Sequence, residues 1–192
     1  PVRHGMFDLS SLKVITNCSE PVTARAQEAF IEAFAGCGIS RHQLHSCFAM
    51  AETTFAITTT TGQSSQRYFD ADPGSLIIGG EVRPGARRLV CSGVPLAGTR
   101  VRISSDREAA LPENMFGRIQ AFSPSLASRY FKNRVDLSSS ISDGFFNTGD
   151  LGFLQDDHLF VVGREDDMIV AHGVNHDPAA IEESLIDLEG VI

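Results

Sequence analysis

The 192 residues include no tryptophan, two tyrosines and, among sixteen basic side chains, two lysines, Lys13 and Lys132. A reaction that needs a lysine ammonium therefore has few places in this chain to occur. No apolar run approaches the roughly 20 residues of a membrane-spanning helix, and the opening PVRHGMFDL has no apolar core of signal-peptide length. No membrane span is expected. The four cysteines (Cys18, Cys37, Cys47 and Cys91) form no C-x-x-C pair and have no histidine cluster nearby. That excludes a zinc knuckle and a dense disulfide framework, leaving buried free thiols in a cytoplasmic protein. There is no long run of one charge sign, and the net charge of -8 is diffuse, which disfavours nucleic acid as a partner.

Hydrophobic residues make up 42% of the chain, enough for a real core in one or two domains. Residues 12–16 (LKVIT) form a short β-branched run suited to a buried strand. Pro21 then fits a first helical turn, and Val22, Ala26, Ala29, Phe30, Ala33 and Phe34 recur at helical spacing before Gly36 and Gly38. With another short strand expected near 45–48, this predicts a β-α-β unit with parallel strands.

From 53 onward the texture changes. Residues 53–61, rich in Thr, Phe and Ile, predict an extended strand. Beyond them, Gly and Pro punctuate the short apolar runs LIIGG, RRLVC, TRVRI and GRIQAF, which predict an antiparallel sheet or small barrel. Asp156 and Asp157 predict a turn before a strand at 158–162, and the polar stretch 164–167 is the predicted domain boundary. A strand MIVAHG follows, then a helix from Pro178 with Asp177 as N-cap. The expected fold class is α/β plus β: the end of a parallel α/β sheet, a small antiparallel β-barrel-like subdomain, and the start of an α+β lid. Residues 1–165 belong to the large domain and 166–192 to the hinge and lid.

Four segments stand in order: NCSEP at 17–21, CFAMAETT at 47–54, NTGDLG at 147–152, and GREDDMIVAHGVNHDPAAIEE at 163–183. Together they resemble the adenylate-forming superfamily of acyl-CoA synthetases, fatty-acyl-AMP ligases and peptide-synthetase adenylation domains. The resemblance implies binding of ATP and AMP with Mg²⁺, and it carries roles onto matching residues. Glu52 would give a carboxylate to Mg²⁺, which prefers hard oxygen ligands. Phe48 stands where relatives usually have a tyrosine stacked on adenine, with Met50 beside it. Thr53 would place a hydroxyl near the α-phosphate. Ser19, Glu20 and Pro21 would line the adenine pocket, although Cys18-Ser19 replaces the usual Gly-Ala. Asp150 would accept the ribose hydroxyls, with Arg164, fourteen residues on, a fork of donors for ribose or phosphate oxygens. Asp166 falls at the hinge between large domain and lid. No residue is assigned a covalent catalytic role.

Two features point within that superfamily to the fatty-acyl-AMP ligases. About thirty residues, 62–90, lie between MAETT and CSGVPLAG, where those ligases are similar in carrying an insertion. GVNHDPAAIE also looks like their string GRNHYPQDIE, keeping Asn175, His176 and Pro178. The implied reaction joins a fatty acid or other carboxylate to AMP and passes the acyl group to an acyl carrier protein. Two alternatives stay open: an acyl- or aryl-CoA ligase, or a non-catalytic adenylate-binding interaction module, which the altered Cys18 and Phe48 favour mildly. The resemblance also implies a lysine-ending phosphate loop before the first motif and a lid lysine after the last. Residues 58–65 follow the MAE motif and lack a lysine, so the chain is expected to be a segment of a longer protein, inactive on its own.

Overall fold

The structure, a computed structural model, describes residues 7–62, 66–131, 136–171, 174–176 and 178–185. The run read at 12–16 becomes β1 (Ile15–Asn17), shorter and later than its apolar stretch. It pairs in parallel with β2 (Leu44–Ala49), Ile15 opposite Leu44 and Asn17 opposite Ser46. The crossover is α1 (Ala24–Phe34). Pro21, expected in the first helical turn, lies outside the helix. Thr23 is the N-cap instead: its backbone is extended and its hydroxyl accepts the Ala26 N–H at 3.1 Å, satisfying an otherwise orphaned donor.

Thr53 does not open a strand. It sits in the tight turn Ala51–Thr53, and β3 (Ala56–Thr59) follows, antiparallel to β2. On the other side of β3 lies β6 (Val94–Pro95). At their junction Gly93 has φ +91°, and a Cβ there would come within 2.0 Å of the Thr59 backbone, so only glycine permits the approach.

Between β3 and β6, β4 (Tyr68–Ala71) and β5 (Arg87–Val90) pair as an antiparallel hairpin. LIIGG, expected as a strand, is turn and loop. Asp72 caps the Pro73–Ser75 turn, Leu76 is buried, and Ile77 is left 57% exposed.

The large sheet is antiparallel. Its strands are β7 (Arg100–Ser104), β8 (Ala110–Leu111), β9 (Gly117–Phe122), β10 (Ile141–Ser142), β11 (Phe145–Gln155) and β12 (His158–Arg164). The order is β10-β11-β9-β7-β8, with β12 on β11. Asp156 and Asp157 make the two-residue turn with φ of 49° and 62°, and Glu113 accepts both of their N–H groups. After the polar stretch come the hairpin β13 (Ile169–Ala171) and β14 (Val174–His176), then α2 (Pro178–Leu185). The expected cap Asp177 lies outside the described residues.

The main core joins the large sheet to the segment 62–90. Phe116, Phe153 and Phe160 are essentially inaccessible, and Ala71, Leu76, Val82 and Leu89 from the segment pack with them. Phe153 and Phe160 stack at 5.1 Å, and Phe69 meets Phe153 edge-on at 5.2 Å. Each fully buried side chain of this size contributes about 1.5–3 kcal/mol.

Candidate active site

Ligands in parallel sheets collect beyond the carboxyl ends of strands, and here a cleft of about 1220 Å³ opens at the ends of β1 and β2. Ser19, Glu20 and Pro21 line it after β1, and Phe48, Met50 and Glu52 after β2. From the large sheet come Asp150 and Arg164, and from the polar stretch Asp166. Thr53 is not among the lining residues. It is 3% exposed, and its hydroxyl donates to the carbonyls of Met50 and Phe55 at 3.2 and 3.1 Å. It holds the turn together.

A strand irregularity delivers Asp150. Asn147 pairs with Gln120 and Leu151 with Arg118, so four residue steps on β11 oppose two on β9. Such a bulge re-aims side chains. Gly149 takes φ +78° within it, and a Cβ there would lie 3.0 Å from Arg164 Nη2. The Thr148 hydroxyl donates to Ile119 O and accepts the Asp150 N–H, pinning the bulge to β9. Across the other ladder Asp150 pairs with Arg164, whose guanidinium stands 3.8 Å from the carboxylate, a loose ion pair. Burial pushes the Asp150 carboxyl above its ordinary value, the Arg164 charge opposes this, and Glu52 adds to it by like-charge repulsion.

The Tyr130 hydroxyl donates to Glu52 Oε1, which raises the phenol above its usual value, with Arg164 pulling the other way. Glu52, Asp150, Arg164 and Tyr130 thus share one electrostatic neighbourhood. Phe48 is 8% exposed and packs with Ile57, Ile103 and Ile119, so its ring serves both the core and the cleft wall. Cys47, also on the wall, is pushed up to about 12, first by burial and then by the neighbouring Cys18.

No family model matches the chain. It is similar to the medium-chain-fatty-acid–[acyl-carrier-protein] ligase JamA of Moorena producens, 32% identical over 194 residues, covering 92% of this chain and 32% of that one. A fatty acyl-adenylate ligase of E. coli or L. pneumophila superposes with a TM-score of 0.81 at 28% identity, covering 92% of this chain and 33% of that one. A fatty acyl-adenylate ligase from L. pneumophila, in complex with acyl adenylate and pyrophosphate, gives 0.73 at 31%, covering 95% and 34%. The chain belongs to the adenylate-forming, AMP-dependent ligase superfamily. It spans about a third of the length of each of these three proteins.

Within this chain of the superfamily the polar stretch is tied to the large sheet at one residue. Glu165 receives two bonds from Arg118, at 2.7 and 2.5 Å, and its N–H donates to Gly149 O at 2.8 Å. Arg118 also meets Asp106 at 3.0 Å. Asp166 and Asp167 follow directly and line the cleft. Neither Tyr130 nor the Arg118–Glu165 pair was found from sequence. Both depend on contacts across 47 or more positions, and nothing local marks them beyond Tyr130 being one of two tyrosines.

Proposed function

We propose that this chain supplies much of the nucleotide site of an enzyme that adenylates a fatty carboxylate and hands the acyl group to an acyl carrier protein. One observation carries this: Glu52, Asp150 and Arg164, far apart in sequence, line one cleft at the ends of β1 and β2.

A carboxylate oxygen of the fatty acid attacks the α-phosphorus of ATP. A P–O bond forms to the acyl group, the bond to the β-phosphate breaks, and pyrophosphate leaves. A carrier-protein phosphopantetheine thiol then takes the acyl carbon and AMP departs. In this reading the half-buried Asp150 carboxylate accepts the ribose hydroxyls, and Arg164 directs its fork to ribose or phosphate oxygens. Phe48 offers a ring face to adenine beside Met50, and the backbone at Ser19, Glu20 and Pro21 closes the pocket. Positioning and charge stabilisation do the work.

Mg²⁺ suits the donors present. Among the described residues no group of three or more His, Cys, Asp or Glu could hold a metal alone, whereas Mg²⁺ commonly takes one or two carboxylates plus substrate phosphates. Glu52 would be that carboxylate, and the ion would neutralise phosphate charge. The large domain would end at 165, with Asp166 the hinge to a lid over 166–192. Four unpaired thiols favour a cytoplasmic setting.

The test is titration of a non-hydrolysable acyl-adenylate analogue into parent and D150A forms of the complete protein. At least a tenfold loss of affinity is expected, and equal affinity removes the site assignment. Parallel assays of acyl transfer to carrier protein and to coenzyme A decide the acceptor.

A further inference from the structure

Glu52 is gripped more heavily than a turn requires. The Ala127 N–H donates to the Glu52 carbonyl at 2.7 Å, and the Ser125 hydroxyl donates to the Thr53 carbonyl at 2.7 Å. Those bonds already fasten the loop after β9 to the turn Ala51–Thr53. A third contact from the same loop, the Tyr130 hydroxyl, goes to the carboxylate itself. Tyr130 is 44% exposed, and a hydrogen bond at so open a ring adds little to folding. Next to Glu52 the chain also carries strain: Thr54, β-branched, has φ 74° and ψ −49°. Such backbone persists where its surroundings over-determine it, and it clusters at functional sites.

We infer that Tyr130 is a positioning residue that orients the Glu52 carboxylate toward a divalent cation carried by the nucleotide phosphates. This rests on the reading of the cleft as a nucleotide site with Glu52 as the metal carboxylate. The phenol engages Oε1, and among the described residues Oε2 receives no hydrogen bond from the protein. A free glutamate rotates about several bonds, and fixing it in advance removes that entropy from the binding step. Carboxylates that ligate metals are themselves hydrogen-bonded, and loss of such a partner typically weakens the metal about 10- to 100-fold.

Y130F keeps the ring and removes the donor. In the complete protein, Mn²⁺ binding in the presence of α,β-methylene-ATP is followed by loss of the free-Mn²⁺ paramagnetic resonance signal. AMP affinity in EDTA serves as the metal-free reference. Y130F is expected to raise the half-saturating Mn²⁺ concentration about tenfold and leave metal-free AMP binding within about twofold, while E52Q abolishes the tight Mn²⁺ site. If E52Q abolishes it and Y130F changes nothing, the role of Tyr130 is overturned and the nucleotide-site reading stands. If Y130F weakens both bindings equally, Tyr130 is structural and the inference is also overturned. If E52Q itself leaves Mn²⁺ binding intact, the metal reading of Glu52 fails, and the inference with it.

Discussion

The two halves of β11 work under opposite rules. Beyond a second register shift between Leu151 and Gly152, the strand pairs regularly with β12 from Gly152 to Gln155, and the buried Phe153 stacks against its cross-strand partner Phe160. From 147 to 150 the ladder to β9 slips by two residues, Gly149 turns left-handed, and Asp150 swings into the cleft. The same division runs through the molecule. The core under segment 62–90 is regular or densely packed, whereas the rim is built from departures: Ser19 at φ 77°, Thr54 at φ 74°, and the register shift at Phe48 and Ala49. Regular pairing supplies stability, and irregular pairing aims side chains.

The largest expected effect tests the core half. F153A removes a fully buried ring with stacked and edge-on partners, so unfolding by urea should show a loss of about 3–5 kcal/mol. A loss below 1 kcal/mol would break the contrast with the rim. R118A leaves Glu165 without its bidentate partner and should cost about 2 kcal/mol in the same assay. A neutral result would mean the polar stretch is not tied to the sheet there. G149A forces an alanine to φ +78° and crowds Arg164, costing about 1–2 kcal/mol. Its loss of nucleotide affinity should exceed what F153A causes in the population that stays folded, because it alone moves a cleft cation.

D150N should have the smallest effect on stability. Burial holds the Asp150 carboxyl above its ordinary value, so folding favours the protonated form more than the unfolded chain does. Its contribution is complete below the ordinary aspartate value and is lost as pH rises through the raised one. D150N removes that decline. Above this window the variant should equal the parent or exceed it by about 1 kcal/mol or less, while binding the acyl-adenylate analogue more weakly. A variant clearly less stable than the parent at neutral pH would place Asp150 with the core.

Local pattern revealed the parallel β1-α1-β2 start, because a helical stripe ending at Gly38 needs only a window of neighbours. It also revealed the turn at Asp156 and Asp157. Pro21 reads as the helix start, and a Thr23 cap hydrogen bond that propensity cannot see places the start at Ala24 instead. LIIGG carried strand composition, but the Asp72 cap at Pro73 committed the chain to a turn. Glu52, Asp150 and Arg164 were legible through their motifs, whereas the bulge that aims Asp150 depends on register with β9. The packing of Leu76, Val82 and Leu89 against Phe116 joins distant segments, so no window contains it.

Glu165 is held by both its amide and its carboxylate, and this fixes where twisting can begin. To rotate at that residue the chain would have to break a main-chain bond and a forked ion pair together, so it behaves as a fixed pivot post. In the reading that makes Asp166 the hinge, a swing of the hairpin and helix that follow would start no earlier than the backbone of that aspartate. Arg164, one position before the post, would stay with the large sheet in such a movement, since its backbone pairs with Asp150.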